Sequence, residues 1–472
     1  MNDWQSLAID AASVVAWIVI VTGLAQTAFY VVQLVYAGIA LAVRPPVARA
    51  SLLWRRYASH TPPIAVLAPA YNEEVTIVES VTSLLALHYP DFEVIVINDG
   101  SKDGTLRQMI DSFGLAQVER FYDLSVQHNP IRGLYASPRI PRLLVVDKEN
   151  GGKSDALNAG INVARSPLFC SIDADSLLES DALLRAVRPF VEEPTLTIAV
   201  GGTIRIANGS TIAAGRVLEV KLPRNFLALV QIVEYLRAFL MARLALSRMQ
   251  VLTVISGAFG LFRRQLVVEV GGYSHGTVGE DMELVVKLHR HMRDRKLPYR
   301  VDFIPEPVCW TEAPDTWTIL GRQRARWQRG ALETFFKHRD MLFNPRYGRI
   351  GFVGFGQVLI VDVVGPIVEV LGYFLMPLLW AVGLLAVDYL FAFLAITFTF
   401  GIFVSVASLI LEEVELRRFG SAHDLVVLML ISIVENFGYR QITNFWRLRG
   451  FWEFLRKKQG WGQMTRKGFK TS

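Results

Sequence analysis

Cysteine and charged residues are both scarce in this chain of 472 residues. It has 2 cysteines, Cys170 and Cys309, which cannot build a multi-disulfide framework and favour a reducing compartment. Charged residues make up 19% of the sequence, below the roughly 25% of soluble domains. Hydrophobic residues make up 52%, and the mean hydropathy is +0.33. This composition excludes a small disulfide-rich secreted protein and indicates a chain that is part globular and part membrane-embedded.

The net charge of +6 would be compatible with nucleic-acid binding. However, the basic residues gather beside apolar runs and in the tail 447–472, as is typical of the cytoplasmic flanks of membrane segments. We therefore expect membrane lipids as partners and no nucleic acid.

An uncharged apolar run, 11–43, follows the short N-terminal segment 1–10. It is longer than the roughly 20 residues that cross a bilayer as a helix and too long for a signal-peptide core, so it predicts a transmembrane anchor. A basic linker, 44–62, comes next. Because positive charge favours the cytoplasmic side, we expect 1–10 outside the cell, the tail 447–472 inside, and the chain in the inner (plasma) membrane as a multi-pass protein.

A second apolar region, 350–446, predicts two to four further spans, with an even number favoured. Pro366 could split its first stretch, Ile350–Ala386, whereas Tyr389–Leu411 is an uninterrupted span. Asp424–Trp446 is weaker and is expected to be re-entrant or interfacial.

Three carboxylates in this region are costly inside a bilayer. We expect Asp362, Glu369 and Glu435 to line a polar path through the membrane. The alternatives are that Pro366 places Asp362 at the membrane interface, and that the carboxylates form structural pairs, as Glu435 would with Arg440.

The region between the membrane segments, 63–349, alternates short β-rich runs with helical stretches. Ile64–Ala68, Glu93–Ile97, Leu143–Val146 and Leu168–Ile172 are candidate buried strands. This order predicts an α/β domain with a doubly wound, mostly parallel sheet, whose functional side chains follow the carboxyl ends of the strands.

One helical segment of this region, 225–248, has polar residues on one side and apolar residues on most of the rest. It predicts an amphipathic helix in the membrane interface. A core helix of the soluble domain is the alternative.

Two loops with carboxylates follow the first two strands, 70–74 with Glu73 and 98–105 with Asp99. A carboxylate at a strand end can accept hydrogen bonds from a uracil ring or ribose, although Asp-Gly is also a common turn. In a third loop, 148–158, Lys153 is placed to meet negative charge; a solvated lysine at a helix start is the alternative.

Asp173 and Asp175 stand two positions apart at the end of an apolar strand. Such a pair is costly unless a cation joins it, and Mg²⁺ or Mn²⁺ bridging to a diphosphate would satisfy it. Asp-x-Asp also occurs in ordinary turns. Further on, Glu280 and Asp281 form another acidic pair, whose aspartate could take a proton from an acceptor hydroxyl or could cap a helix.

The motif Gln323-Arg324-Ala325-Arg326-Trp327 follows these acidic sites and precedes the apolar tail. It puts cationic groups suited to a diphosphate and an indole suited to a sugar close to a membrane segment. In this order, the motifs resemble those of the membrane-integrated family 2 glycosyltransferases with a GT-A fold, which include cellulose, chitin, hyaluronan and poly-N-acetylglucosamine synthases. The resemblance covers about Ile64–Gly330, and Gly272-Tyr273 also fits it.

The resemblance implies a nucleotide-sugar donor with a divalent metal ion, Mg²⁺ or Mn²⁺. The residues that would bind the donor are Glu73 and Asp99 at the nucleoside, Lys153 and Asp173 beside them, and Gln323 and Arg326 at the leaving diphosphate. Asp175, together with Asp173, would bind the metal.

The resemblance also assigns the reaction centre and the acceptor site. Asp281, next to Glu280, would be the general base of an inverting single displacement. Trp327 would stack under the acceptor sugar, near the loop with Ser256 and Gly257. That loop differs from the cellulose-synthase form, which leaves the acceptor open.

We therefore expect an enzyme that uses a nucleotide-diphosphate sugar, a UDP-sugar first of all, to elongate a β-linked polysaccharide and move it across the membrane. Two alternatives stay open. One is a single addition of sugar to a lipid acceptor. The other is a catalytically silent membrane module that supports a partner synthase or export subunit.

Overall fold

The computed structural model describes residues 3–43, 50–173, 176–213, 215–416 and 421–458, which form two compact units. A sheet unit takes the described residues of Pro45–Arg224 and Ser247–Ala313. A helical unit takes those of Met1–Arg44, Asn225–Leu246 and Pro314–Gly462. The two units cut across the region 63–349, because 225–246 and 314–349 group with the apolar helices.

The strands all belong to the sheet unit. In chain order they are β1 (Ile64–Ala70), β2 (Phe92–Asp99), β3 (Ala116–Val118), β4 (Ile131–Ala136), β5 (Leu143–Lys148), β6 (Leu168–Ile172), β7 (Leu177–Leu178), β8 (Thr197–Ile206), β9 (Thr211–Ala213), β10 (Arg216–Glu219), β11 (Phe259–Arg263) and β12 (Arg300–Thr311). The four strands expected from the sequence are β1, β2, β5 and β6, and all four are confirmed.

Ten of these strands form one mixed sheet in the order β3-β4-β5-β2-β1-β6-β11-β8-β12-β7, and β9 pairs with β10 separately. The centre, β5-β2-β1-β6, is parallel, as is the pair β8–β12. The chain winds outward from β1 through β2 to β5 and then returns to place β6 on the other side of β1. This reversal is the doubly wound topology expected from the sequence, and it marks the usual place of a ligand site.

Hydrophobic residues explain why the central strands form. β1 and β2 are apolar over nearly their whole length, and most of their side chains are buried. Strands that are covered on both faces need a continuous apolar run rather than alternation. Antiparallel strands flank this centre because β4 and β11 pair with β5 and β6 in the opposite direction.

The helices are α1 (Asp3–Val43), α2 (Ala50–Tyr57), α3 (Ile77–Leu85), α4 (Thr105–Phe113), α5 (Lys153–Val163), α6 (Ala182–Glu192), α7 (Phe226–Tyr235), α8 (Leu244–Arg248), α9 (Arg264–Glu269), α10 (Glu280–Asp294), α11 (Trp317–Lys337), α12 (Phe355–Gln357), α13 (Gly365–Ala381), α14 (Val387–Leu394), α15 (Gly401–Leu416), α16 (Ala422–Val434) and α17 (Tyr439–Leu455). Short 3₁₀ turns occur at Ala58–His60, Arg339–Met341 and Pro345–Tyr347. Of four π-helical segments, Leu236–Arg243, Val358–Val364 and Ala395–Phe400 join neighbouring α-helices, and Ile350–Gly354 leads into α12.

Three helices in the described part of the chain are long and apolar enough to cross a membrane: Ser6–Val43, Ile350–Ala381 and Val387–Glu413. A fourth span results if α16 and α17, which meet at a bend of 58°, are counted as one. The stretch at 350–381 is not split at Pro366. The proline follows the π-helical segment Val358–Val364, so its ring sits at a change of helix type instead of inside a regular α-helix, which it would break.

The segment 225–248 is helical throughout, from α7 through Leu236–Arg243 to α8. Its polar side chains pair with other helices of the helical unit: Glu234 contacts Arg324 at 2.6 Å, and Arg237 donates to Ser405 and Glu435. The polar stripe therefore holds helices together. That the segment 225–248 lies in the membrane interface stays a prediction.

The three carboxylates of the apolar C-terminal region each have a partner on another helix. Asp362 pairs with Arg447 at 2.9 Å. The Glu369 carboxylate accepts hydrogen bonds from Asn444 at 2.6 Å and from Tyr373 at 3.1 Å.

Glu435 is 2% exposed and accepts hydrogen bonds from Arg237 and Ser405, so Arg440 is not the partner that holds it. Each of the three carboxylates thus has a structural partner, which supports the paired alternative. The polar path stays a prediction.

Candidate active site

Polar loops follow the central strands of the sheet unit at one edge. The parallel register pairs Ala70 of β1 with Asn98 of β2, and Asp99 of β2 with Lys148 of β5. Because β6 runs in the same direction, the residues after Ile172 reach this edge too. The edge coincides with the reversal of strand order at β1, where ligands of open α/β sheets bind.

The loops after β1 and β2 hold each other in place through reciprocal hydrogen bonds. The Asn72 N–H donates to Ser101 at 3.0 Å, and the Asn72 side chain accepts from the Lys102 N–H at 2.9 Å. The Gly104 N–H donates to the Glu74 carboxylate at 3.1 Å, and a Cβ at Gly104 would displace that carboxylate. The two loops therefore act as one platform.

Glu73, an expected nucleoside ligand, stands on this platform. Its N–H donates to Thr105 Oγ1 at 2.9 Å, and its carboxylate accepts from the Thr76 hydroxyl at 2.9 Å. The side chain is half-buried, so it can meet a ligand.

Asp99, the second expected nucleoside ligand, is 3% exposed, and the protein engages both of its carboxylate oxygens. Lys148 Nζ lies 2.7 Å from Oδ1, which also accepts from the Gly151 N–H at 3.0 Å. The Gly152 N–H and the Asn150 amide donate to Oδ2 at 2.7 and 3.1 Å. In this structure Asp99 thus shapes the loop 149–152.

Lys148 and Asp155 belong to this arrangement, although the sequence analysis did not select them as site residues. Lys148 is 0% exposed and lies between the carboxylates of Asp99 and Asp155, at 2.7 and 2.5 Å. Asp155 also accepts from the Asn129 N–H at 2.9 Å and lies 3.0 Å from His275 Nε2. The sequence did contain a signal for this arrangement, because Lys148 is the last residue of a buried strand. A buried ammonium group is costly there unless a carboxylate balances its charge.

Lys153, the first residue of α5, lies beside Asp173 as expected. Its Nζ is 2.5 Å from Asp173 Oδ1, 3.2 Å from the Gly257 carbonyl and 3.9 Å from Glu280 Oε1. Burial acts to lower the pKa of Lys153, but Asp173, Glu280 and Asp281 raise it above its ordinary value. The site therefore holds a fixed ammonium charge.

Asp281 and Glu280 open α10, whose N-cap is Gly279, so the alternative that Asp281 is the cap is wrong. Asp281 is half-buried and accepts hydrogen bonds from the Met282 N–H at 2.8 Å and the Gly257 N–H at 3.2 Å. Two fixed N–H groups thus orient its carboxylate.

Glu280 is a different kind of acid. It is 3% exposed, and one of its oxygens has no hydrogen-bond partner among the described residues. Burial raises the pKa of the Glu280 carboxyl to about 8, with Lys153 opposing the rise and Asp281 adding to it. Of the two acids, only Asp281 is both accessible and oriented.

Ser256 and Gly257, the expected acceptor loop, lie against these groups. The Gly257 carbonyl accepts from Lys153, and its N–H donates to Asp281. A Cβ at Gly257 would lie 2.6 Å from Lys153 Nζ, so a side chain there would displace the lysine. Ser256 Oγ accepts from the Ala258 N–H at 3.4 Å.

Asp175, the expected metal ligand, lies outside the described residues. Its expected companion Asp173 keeps about a third of its side-chain surface exposed and has Oδ1 against Lys153. Within the described residues, no group of three or more His, Cys, Asp or Glu side chains is placed to hold a metal ion. A cation here would depend on Asp173, Asp175 and oxygens from its ligand.

The motif 323–327 lies on α11 in the helical unit. Arg324 is 4% exposed, and its guanidinium carbon lies 4.3 Å from the centroid of the Trp327 ring. Trp327 is 44% exposed and Arg326 is half-buried, so both have surface for a ligand. The Gln323 side-chain oxygen accepts from Arg324 at 3.1 Å. The sequence analysis missed Arg324, which structurally supports the motif.

Part of the chain is similar to a known protein family. Residues 65–271 match the family model described as "Glycosyl transferase family 2". This matched stretch, less than half of the chain, is similar to family 2 glycosyltransferases. The match begins in β1 and includes the platform loops, Lys148, Lys153, Asp173 and the Ser256–Gly257 loop.

Curated relatives of this domain include two staphylococcal proteins named poly-beta-1,6-N-acetyl-D-glucosamine synthase. The chain is 30% identical to the one from Staphylococcus epidermidis (strain ATCC 35984) over 275 residues, and 30% identical to the one from Staphylococcus aureus (strain COL) over the same length. Each match covers 58% of this chain and 56% of the relative, so it spans about half the length of these curated relatives.

A solved structure supports the fold. The mannosyltransferase PcManGT from Pyrobaculum calidifontis, in complex with GDP-Man and Mn2+, matches with a TM-score of 0.53 and 19% sequence identity, covering 93% of this chain and 99% of that chain. The GT-A fold with added apolar helices expected from the sequence is confirmed.

The raised pKa of Glu280 predicts a specific pH dependence of stability. The folded protein keeps this proton up to pH of about 8, whereas an unfolded glutamate loses it near pH 4.3. Stability should therefore fall as pH rises across that window, by about 1.4 kcal/mol per pH unit at most. Glu280→Gln, which mimics the protonated acid, should flatten this part of the profile in chemical unfolding of the full protein.

Glu283→Gln is the matched control, because Glu283 is buried on the same helix but pairs with Lys287 at 3.7 Å. Equal slopes in the wild type and Glu280→Gln between pH 5 and 8 would contradict the assignment of a protonated Glu280.

Proposed function

We propose that this protein is an inverting membrane glycosyltransferase that elongates a β-linked polysaccharide from a nucleotide-diphosphate sugar. The observation that carries the proposal is the cluster at the sheet edge, where Lys153, Asp173, Asp281 and Gly257 lie within hydrogen-bond or ion-pair reach of one another. It combines a fixed positive charge, a candidate metal ligand and an oriented carboxylate. The names of the staphylococcal relatives favour N-acetylglucosamine as the sugar. UDP as its carrier rests on the resemblance of the sequence motifs to those of family 2 synthases.

The chemistry is a single displacement at the anomeric carbon of the donor sugar. The oxygen of an acceptor hydroxyl forms the new bond to that carbon. As it does so, Asp281 accepts the proton of that hydroxyl. The bond from this carbon to the diphosphate oxygen breaks with its electron pair, and the nucleoside diphosphate leaves. Attack from the face opposite the leaving group inverts the configuration, which converts an α-linked donor into a β-linked product.

The leaving diphosphate needs positive charge, since it gains negative charge as the bond breaks. Lys153 supplies a partly buried ammonium. Arg326 of the motif can bind two phosphate oxygens at once through its planar fork. A divalent cation, Mg²⁺ or Mn²⁺, held by Asp175 and Asp173 would neutralise further charge on the diphosphate. Gln323 would lie beside Arg326.

The remaining residues would position the two substrates. Glu73 would bind the nucleoside from the platform of loops, and Asp99 would order the loop 149–152 around it. Trp327 would stack under the acceptor sugar, with Ser256 and Gly257 lining the acceptor side near the base.

We infer an inner-membrane location with the catalytic domain in the cytoplasm, based on the basic flanks of the apolar segments. Membrane lipids would surround the helices, the growing glycan would cross the membrane, and accessory synthase or export subunits would be further partners.

Single addition to a lipid acceptor is the second candidate function, because the same sheet-edge chemistry would serve it. A silent module is disfavoured, since a protein without turnover gains nothing from burying Lys148 and Lys153 among carboxylates.

The decisive experiment incubates the full protein, in lipid nanodiscs with Mn²⁺, with radiolabelled UDP-N-acetylglucosamine, UDP-glucose and GDP-mannose, and then sizes the product. Polymer from one UDP-sugar supports the proposal. A product of one sugar on lipid supports the second candidate, and no turnover with any donor contradicts both.

Replacement of the proposed base should separate binding from turnover. Asp281→Asn keeps the volume but cannot accept the proton, so kcat should fall about 10²- to 10⁴-fold while donor binding persists. Steady-state kinetics and equilibrium binding of UDP measure the two effects. Asp294→Asn, at the other end of α10, is the control. A loss of donor binding with kcat unchanged would instead identify Asp281 as a binding group.

Removal of the proposed metal ligand should abolish transfer and weaken nucleotide binding only when a divalent cation is present. Asp175→Asn tests this, with the exposed Asp111→Asn as control, by UDP titration with and without Mn²⁺. Full transferase activity of the wild type in EDTA would rule out the metal.

A further inference from the structure

A buried ion pair covers one face of the Trp327 indole in the helical unit. Arg324 Nη2 lies 2.6 Å from Glu234 Oε2, and the two side chains are 4% and 21% exposed. The guanidinium carbon of Arg324 lies 4.3 Å from the Trp327 ring centroid, in cation–π range. Trp327 itself stays 44% exposed, so ring surface away from the arginine is accessible.

A third residue joins this pair to the last helix of the unit. Tyr439, 5% exposed and the first residue of α17, donates its hydroxyl to Glu234 Oε2 at 3.0 Å. Glu234 thus accepts from α11 and from α17 at the same carboxylate oxygen. Burial acts to lower the pKa of Arg324, but Glu234 raises it well above its ordinary value, so the guanidinium stays charged.

We propose that Glu234, Arg324 and Tyr439 are positioning residues that fix the plane of the Trp327 indole for the acceptor sugar. The inference rests on the proposed function and deepens it. With one face under the guanidinium, an acceptor sugar stacks on the opposite face alone. The sugar ring is then held in one orientation on the indole, which an indole free to rotate could not do.

The chemistry of arginine explains why this residue type is needed. A planar guanidinium lies flat on an aromatic ring while its N–H groups still reach a carboxylate and the Gln323 side chain. A lysine ammonium would keep the charge but could not cover the ring and hold both partners. Arg324→Lys keeps the positive charge and removes the planar guanidinium. It therefore tests whether the indole is oriented by the guanidinium and not by the charge alone.

The same helix offers a matched control. Arg329 is buried to the same degree, 3% exposed at its side chain, and pairs with Glu333 at 3.5 Å and Glu453 at 3.8 Å. Arg329→Lys removes a buried guanidinium of α11 in the same way, yet the Arg329 ion pairs do not include Glu234. A general weakening of the helix would affect both variants, whereas positioning of Trp327 would affect only Arg324→Lys.

The first measurement is ¹⁹F NMR of the full protein labelled with 5-fluorotryptophan in nanodiscs, with the Trp327 resonance assigned by its absence in Trp327→Phe. The proposal predicts that this resonance shifts and broadens in Arg324→Lys, Glu234→Gln and Tyr439→Phe and stays in place in Arg329→Lys. An unchanged resonance in the three variants overturns the proposal. This readout does not depend on turnover, so it remains informative if the proposed function fails.

The second measurement is steady-state kinetics with a short β-linked N-acetylglucosamine oligomer as acceptor. We expect the acceptor KM to rise about 5- to 10-fold in Arg324→Lys, with the donor KM unchanged, as the loss of one cation–π contact would produce. A resonance that moves without any change in the acceptor KM overturns the functional half of the proposal. A wild type that transfers no sugar contradicts the proposed function and the acceptor role together, and the NMR result then decides the geometry alone.

Discussion

Pairing of two lysine ammonium groups with carboxylates, Lys148 fully buried and Lys153 partly buried, is the constraint on which the candidate active site depends. Lys148 holds Asp99 and Asp155, and Lys153 holds Asp173. An unpaired charge at such depth would cost several kcal/mol, so each lysine needs its acids and each acid needs its lysine. The loops that carry these residues are thereby fixed before any donor arrives. Such preorganisation is what a reaction with a charged leaving group requires.

Side chains that look alike in the sequence have different tasks in the structure. Glu280 and Asp281 are neighbours, but burial keeps the first protonated near neutral pH while two N–H groups orient the second. Arg324 and Arg326 are also close in sequence, but the first is buried against Glu234 and the indole, and the second keeps surface for a ligand. Environment, and not residue type, assigns these roles.

The sequence predicted most of what depends on local pattern. Apolar runs located the central strands, because strands buried on both faces must be hydrophobic throughout. The carboxyl ends of those strands then located Glu73, Asp99 and Asp173. The sequence could not predict ion pairs between residues far apart in the chain, such as Arg237 with Glu435 or Lys148 with Asp99. No hydrophobic periodicity indicates which distant residue a charged side chain will contact. The expectation that Pro366 could split the helix was wrong for a related reason. The π-helical turns before the proline cannot be recognised from the residue pattern.

A structure of the full protein with Mn²⁺ and a non-transferable phosphonate analogue of UDP-N-acetylglucosamine would test the central claim most directly. The account predicts the diphosphate beside Lys153, the cation at Asp173 and Asp175, and the anomeric carbon facing the side of the site that holds Asp281. A nucleotide bound away from this edge of the sheet, with Lys153 still paired to Asp173 and no cation between, would contradict it.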